Sequence, residues 1–114
     1  MPSLYAKYIL ERTNDLILET DIGFLTYRFL DEKDGSKSLY IIDIYVLPEF
    51  RKRYIASELA DSVCEKAKAE GCNKVYGTVV PSAKGSTTSL QVLLNYGMTV
   101  HSSSPDLIVM KKDL

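Results

Sequence analysis

The segment LYIIDIYVLP, Leu39 to Pro48, limits what this chain can fold into more than any other stretch. β-Branched and aromatic side chains follow one another almost without a break, the pattern of a strand buried on both faces inside a helix-covered sheet. Pro48 stops it. Downstream, Ile55, Leu59, Val63 and Ala67 recur every four residues, so a helix begins near Tyr54 and runs to about Glu70, with Gly71 as its terminating residue. KVYGTVVP is the next strand. Strand, helix and strand at this spacing make a βαβ unit whose strands are parallel or splayed.

The flanking elements are read in the same way. LILET and GFLTYRFL are strands joined at DIG, and DEKDGSKS carries the strongest turn signal in the chain. STTSLQVLLNYG reads as a second helix, started by a Ser or Thr cap and ended at Gly97, with Leu90, Leu93 and Leu94 on its apolar side. MTVHS and DLIVMKK form a final hairpin across SSPD. SLYAKYILERT fits either a short helix capped by Ser3 or a strand. The expected fold class is α+β (mixed α/β), one continuous domain over residues 1–114.

Between strand and helix stand Arg51, Lys52 and Arg53. A helix N-terminus already carries partial positive charge and unpaired N–H groups, so stability alone would place Asp or Glu there. Cations at that point cost stability and strengthen binding of a polyanion the size of a pyrophosphate. The bland reading is a solvated charge cluster. The net charge of −1 contains no general attraction to nucleic acid or an anionic membrane, and no stretch of about 18 apolar residues spans a bilayer. Cys64 and Cys72 show no metal-ligand spacing and read as reduced packing cysteines, so a cytoplasmic location and no metal are expected.

The ordered set of these segments, from IIDIYVLPEFRKRYIASELADSVCEKAKAEG through VYGTVVP to SLQVLLNYGM, resembles the GCN5-related N-acetyltransferase (GNAT) family. Arg51, Lys52, Arg53, Tyr54, Ile55 and Ala56 occupy the family's phosphate loop, and Gly97-Met98 stands for its closing Gly-Phe. The resemblance implies a mostly antiparallel twisted sheet with a splayed parallel pair, and acetyl-CoA as cosubstrate. It places the pyrophosphate on backbone amides from Arg53 to Ser57, with Arg51 and Lys52 near phosphate oxygens. The pantetheine arm would lie beside Tyr45, Val46 and Leu47, and the Val46 amide would polarise the thioester carbonyl. Asp43, or else Glu49, would take the proton from an attacking primary amine, whether that amine belongs to a small molecule or a protein.

Two positions depart from the family pattern. Tyr54 replaces the loop glycine, and Leu93 stands where many members carry a Tyr that protonates the leaving thiolate. Tyr96 is the nearest substitute, pointing from a different side of the helix. His101, the one histidine, reads as a surface or packing residue, and Tyr40 and Tyr45 are candidates to line an acceptor pocket. A core fold with few additions suggests an open site, or one completed by a second subunit in a homodimer. Against the enzymatic reading stands a protein of the same fold that binds a protein partner, with coenzyme A regulatory or absent. Nucleic-acid binding through the basic loop has no basic stripe to support it.

Overall fold

The computed structural model describes residues 3–51 and 53–114. The undecided N-terminal segment is a helix, α1 (Leu4–Thr13), because Ser3 accepts a hydrogen bond from the Ala6 N–H at 2.9 Å and Asn14 closes the helix in the left-handed region. Strands β1 (Leu16–Glu19), β2 (Gly23–Asp31) and β3 (Lys37–Val46) follow, then a short 3-10 turn at Pro48–Phe50. Helix α2 (Ile55–Ala69), β4 (Cys72–Val79), α3 (Ser86–Asn95), β5 (Thr99–Ser103) and β6 (Ile108–Asp113) complete the order.

The six strands form one sheet in the order β1-β2-β3-β4-β6-β5, and only β3 with β4 run parallel. Helix α2 buries Leu59, Ala60, Val63, Cys64 and Ala67 against one sheet face, where they meet Leu25, Leu39, Ile41, Val75 and Met110. Leu39 and Val75, on the parallel strands under α2, are fully buried, as is Met110 on β6, so the core reaches across the sheet from β3 to β6. Burial raises the pKa of both Cys64 and Cys72, which are free thiols.

Three expectations need correction. The Leu39–Val46 run is not buried on both faces: Asp43 and Tyr45 are exposed. The reason is a β-bulge. Thr26 pairs with Asp43 and Tyr27 with Ile41, leaving Ile42 as an extra residue on β3. That insertion switches side-chain parity, so Ile44 and Val46 join Leu39 and Ile41 facing α2, while Asp43 and Tyr45 move to the other face. Secondly, α3 is preceded by Gly85 at φ 80°, not by a Ser or Thr cap; the Ser86 hydroxyl donates instead to the Pro81 carbonyl at 2.9 Å. Thirdly, Leu94 is 45% exposed, and Leu93 with Met98 supplies the buried side of that segment.

At the α1–β1 junction, Arg28 Nε donates to Asp15 Oδ1 at 2.6 Å. This bond holds the Asp15 carboxyl below its usual range, against an opposing push from burial. A depressed folded-state pKa means stability that is present above the ordinary carboxylate value of about 3.9 and lost as pH falls through the lower folded value. Because Arg28 is substantially exposed, Asp15→Asn should cost only about 1 kcal/mol at neutral pH. Urea melts of the two proteins should converge as the pH is taken below that range.

Candidate active site

The pairing of β3 with β4 ends at Ile41 and Gly77. Beyond it β3 continues to Val46 and β4 to Val79 without pairing to each other, so the sheet splits there. The Leu47 N–H turns toward β2, bonding the Ile22 carbonyl at 2.8 Å. Strand alternation therefore turns the N–H and C=O of Val46, and those of Ile44, away from β2 into the gap. An open strand edge thus lies inside the sheet, where a linear amide-bearing chain could pair with it.

The gap leads to the start of α2. Tyr54 stands at the helix N-cap with φ 61° and no side-chain capping bond. The first intrahelical bond among the described residues runs from the Glu58 N–H to the Tyr54 carbonyl at 3.0 Å, so the N–H groups of Ile55, Ala56 and Ser57 precede the hydrogen-bonded ladder. Tyr54 adopts the left-handed conformation that a glycine would take without strain, and the residue is 81% exposed rather than packed into the cleft. A narrow apolar cleft runs between them and β3, walled by Ile41, Ile44, Ala56, Ser57, Ala60, Val92, Leu93 and Tyr96. The donor set thus consists of open-edge backbone groups on β3 and helix amides on α2. It fits a long molecule with peptide-like amides and a phosphate-bearing end.

The basic loop is less uniform than its sequence. Arg51 turns back onto β3: its Nε donates to the Val46 carbonyl at 2.9 Å, and its guanidinium carbon lies 5.5 Å from the centre of the Tyr45 ring. Arg53 lies 5.7 Å over the Phe50 ring and is exposed. Lys52 lies outside the described residues. Leu47 is half-buried at the exit of β3, and Gly23 opposite Val46 has no room for a side chain, since a Cβ there would sit 2.6 Å from the Tyr45 carbonyl oxygen.

On the face opposite α2, Asp43 lies exposed beside Tyr45, whose ring stacks on Phe24 at 5.8 Å. Tyr5 of α1 reaches Phe24 at 6.4 Å, so α1 contributes to this wall. Sequence reasoning missed both Tyr5 and Phe24, which have no local motif. Tyr40 stands on the same face, its hydroxyl 3.0 Å from Thr78 Oγ1. Glu49 is exposed in the 3-10 turn after the strand. His101 packs edge-on against Tyr76 on β4, at 5.8 Å.

Tyr96 reaches the cleft but is tied down. Its hydroxyl donates to Asp61 Oδ1 at 2.7 Å and lies 3.5 Å from Cys64 Sγ, while Lys112 Nζ sits 4.3 Å over its ring. Burial first, then these two hydrogen bonds, raises the phenol well above its ordinary range, so it keeps its proton. Leu93 occupies the other nearby position, its methyl groups packed over Gly77, where an added Cβ would lie 3.4 Å from Leu93 Cδ1.

Fold and site together define an α+β protein whose one gap between parallel strands opens onto a helix N-terminus. The family model described as "Acetyltransferase (GNAT) family" matches residues 5–87. The chain belongs to that family. It is 34% identical over 53 residues to pig (Sus scrofa) thialysine N-epsilon-acetyltransferase, a match covering 46% of this chain and 31% of that protein. The chain thus spans about a third of the length of this curated relative. Among solved structures, the fold is similar to PaiA N-acetyltransferase from Thermoplasma acidophilum in complex with coenzyme A, with a TM-score of 0.73 and 17% identity, covering 97% of this chain and 69% of that one. It is also similar to Arabidopsis thaliana Naa50 bound to the bisubstrate analogue CoA-Ac-MVNAL, with a TM-score of 0.63 and 18% identity, covering 82% and 66%. No helix among the described residues is long and apolar enough to cross a membrane.

Proposed function

We infer that the chain is an acetyl-CoA-dependent N-acetyltransferase whose acceptor is a primary amine. The observation that carries this reading is the open edge of β3 past Ile41, running directly into the amides at the start of α2. Those amides, with Arg53 beside them, would hold the diphosphate. Ile44 and Val46 would pair with the amides of the donor's arm, and the Val46 N–H would stabilise the oxyanion that develops on the thioester carbonyl.

The amine must arrive from the face that carries Asp43, because α2 and α3 close the other. An aliphatic amine titrates near pKa ~10 and is protonated at neutral pH, so it must lose a proton before it can attack; Asp43, directly or through water, takes that proton, and the second proton leaves nitrogen for solvent or the departing thiolate once the C–N bond has formed. The bond to sulfur then breaks, releasing coenzyme A and the N-acetylated amine. A thiol with a pKa of about 8.5 departs tolerably as thiolate, so the reaction proceeds without an acid at position 93. Tyr96 would serve chiefly as a brace between α3 and α2, since its proton is already donated to Asp61.

The same detail supports a second reading. Leu93 has no proton to give and the Tyr96 hydroxyl is engaged by Asp61, so neither position supplies an acid for the leaving group. A catalytically weak protein that binds a partner, with coenzyme A as regulator, fits that arrangement. The pig relative's name points to a lysine-like ε-amine, and the Naa50 complex to a peptide amine.

Thermal denaturation decides whether the donor binds. At a hundredfold excess of acetyl-CoA over Kd, stability should rise by about 2.7 kcal/mol. No shift at millimolar ligand would remove the donor from both readings. Thiol release with lysine analogues, polyamines and N-terminal peptides then separates enzyme from binding protein, because the second reading requires release with all of them to stay close to the rate without acceptor.

A further inference from the structure

Arg51 is the one cation described in the loop that turns away from the helix amides to contact the strand. The 3-10 turn produces this: the Phe50 N–H bonds the Leu47 carbonyl at 2.9 Å, and the Arg51 N–H bonds the Pro48 carbonyl at 3.3 Å, so the chain doubles back and delivers Arg51 to the edge it has just left. Its two contacts fall on consecutive residues. The planar guanidinium meets the Val46 carbonyl at one end and the Tyr45 ring at the other, a combination of hydrogen bond and ring contact that an ammonium group does not reproduce.

Val46 is the last residue of β3, and its carbonyl points into the gap. An amide chain laid along that edge past Ile44 would use this oxygen as an acceptor. Arg51 already donates to it, and its guanidinium stands in the way of a second donor from the gap. We propose that Arg51 is a displaceable cap on the open edge of β3, which the acyl donor must lift from Val46 before its arm can pair with the strand. The proposal rests on the acetyltransferase reading above and reverses the sign of one expectation. A phosphate-binding arginine strengthens donor binding, whereas a cap weakens and slows it, and the guanidinium lifted from Val46 also uncovers the Tyr45 ring on the acceptor face.

The test is coenzyme A binding, by titration calorimetry and stopped-flow association at one fixed salt concentration, to the unaltered chain and to Arg51→Ala and Arg51→Lys. The cap requires both variants to bind tighter, by roughly three- to tenfold for a charge-assisted hydrogen bond removed from a partly exposed site, with the gain mainly in association rate. A phosphate ligand requires the opposite: weaker binding by Arg51→Ala and near-normal binding by Arg51→Lys, which keeps the charge. That result, or equal binding by all three proteins, overturns the cap and leaves the acetyltransferase reading intact. If the unaltered chain fails to bind and Arg51→Ala binds, the cap stands. If no protein binds, the acetyltransferase reading falls and the cap with it. Without ligand, nitrogen-15 spectra should show the Arg51 Nε–H exchanging more slowly with water than that of Arg53, and coenzyme A should abolish the difference. Equal exchange in the free protein would also overturn the cap.

Discussion

Asp43→Asn is expected to lower kcat for acetyl transfer by ~10²–10⁴, the range over which a positioned general base contributes. Asparagine keeps the size and polarity of the side chain but cannot accept the amine's proton. Asp43 is exposed and its backbone N–H bonds Thr26 Oγ1 at 3.0 Å, a contact the substitution leaves in place, so fold stability should hold. The affinity for coenzyme A should hold too, since Asp43 faces away from the cleft beside α2. Activity lost at neutral pH should return partly at alkaline pH, where more of the amine arrives deprotonated. An unchanged kcat would remove Asp43 as the base and leave Glu49 or solvent to take the proton.

Leu93→Ala should produce the largest loss of stability at the site. Leu93 is buried against Gly77, which has no side chain to fill the space, leaving Met98, whose Cε reaches the same glycine, as the neighbour that could shift into it. Removing three carbons there leaves a cavity continuous with the cleft between Ile44, Ala56 and Val92. Buried Leu→Ala substitutions cost about 2–5 kcal/mol, and the upper half of that range applies where the surroundings do not relax. Urea denaturation reads this directly. Loss of less than about 1 kcal/mol would mean that Leu93 packs loosely, which the Gly77 contact argues against. The same substitution should leave the phenol of Tyr96 on Asp61, because that bond runs to α2 and not through Leu93.

Much of the fold could be read along the chain because it is written in local periods. The four-residue spacing of Ile55, Leu59, Val63 and Ala67 located α2, and Gly71 and Gly97 ended their segments in the left-handed conformation expected of them. The final hairpin and the parallel β3–β4 pair follow the same local logic of strand, turn and crossover length. The N-terminal segment stayed undecided because Leu, Tyr and Ile at its spacing serve either geometry. Ser3 decided it, and a single cap is a weak signal until the next turn is seen to accept it. At the start of α3 the pattern points to a Ser or Thr cap because Ser86 and Thr87 have capping side chains, whereas Gly85, with its φ of 80°, already makes the turn.

The candidate site divides along the same line. Its ingredients, an apolar strand, a basic loop and a helix N-terminus in succession, are properties of the sequence alone, because each depends on neighbours within a few residues. Which way they face was decided only in three dimensions. Thr26 lies 17 residues from Asp43, and the bulge at Ile42 that turns Asp43 and Tyr45 to the open face exists only in that pairing. Likewise, nothing in the order Arg51, Lys52, Arg53 tells that Arg51 folds back on Val46, or that Asp61 accepts the hydrogen bond of the Tyr96 hydroxyl from 35 residues away. Hydrophobic pattern reports how much a residue is buried. It does not report which partner buries it, and the chemistry of this site depends on the partners.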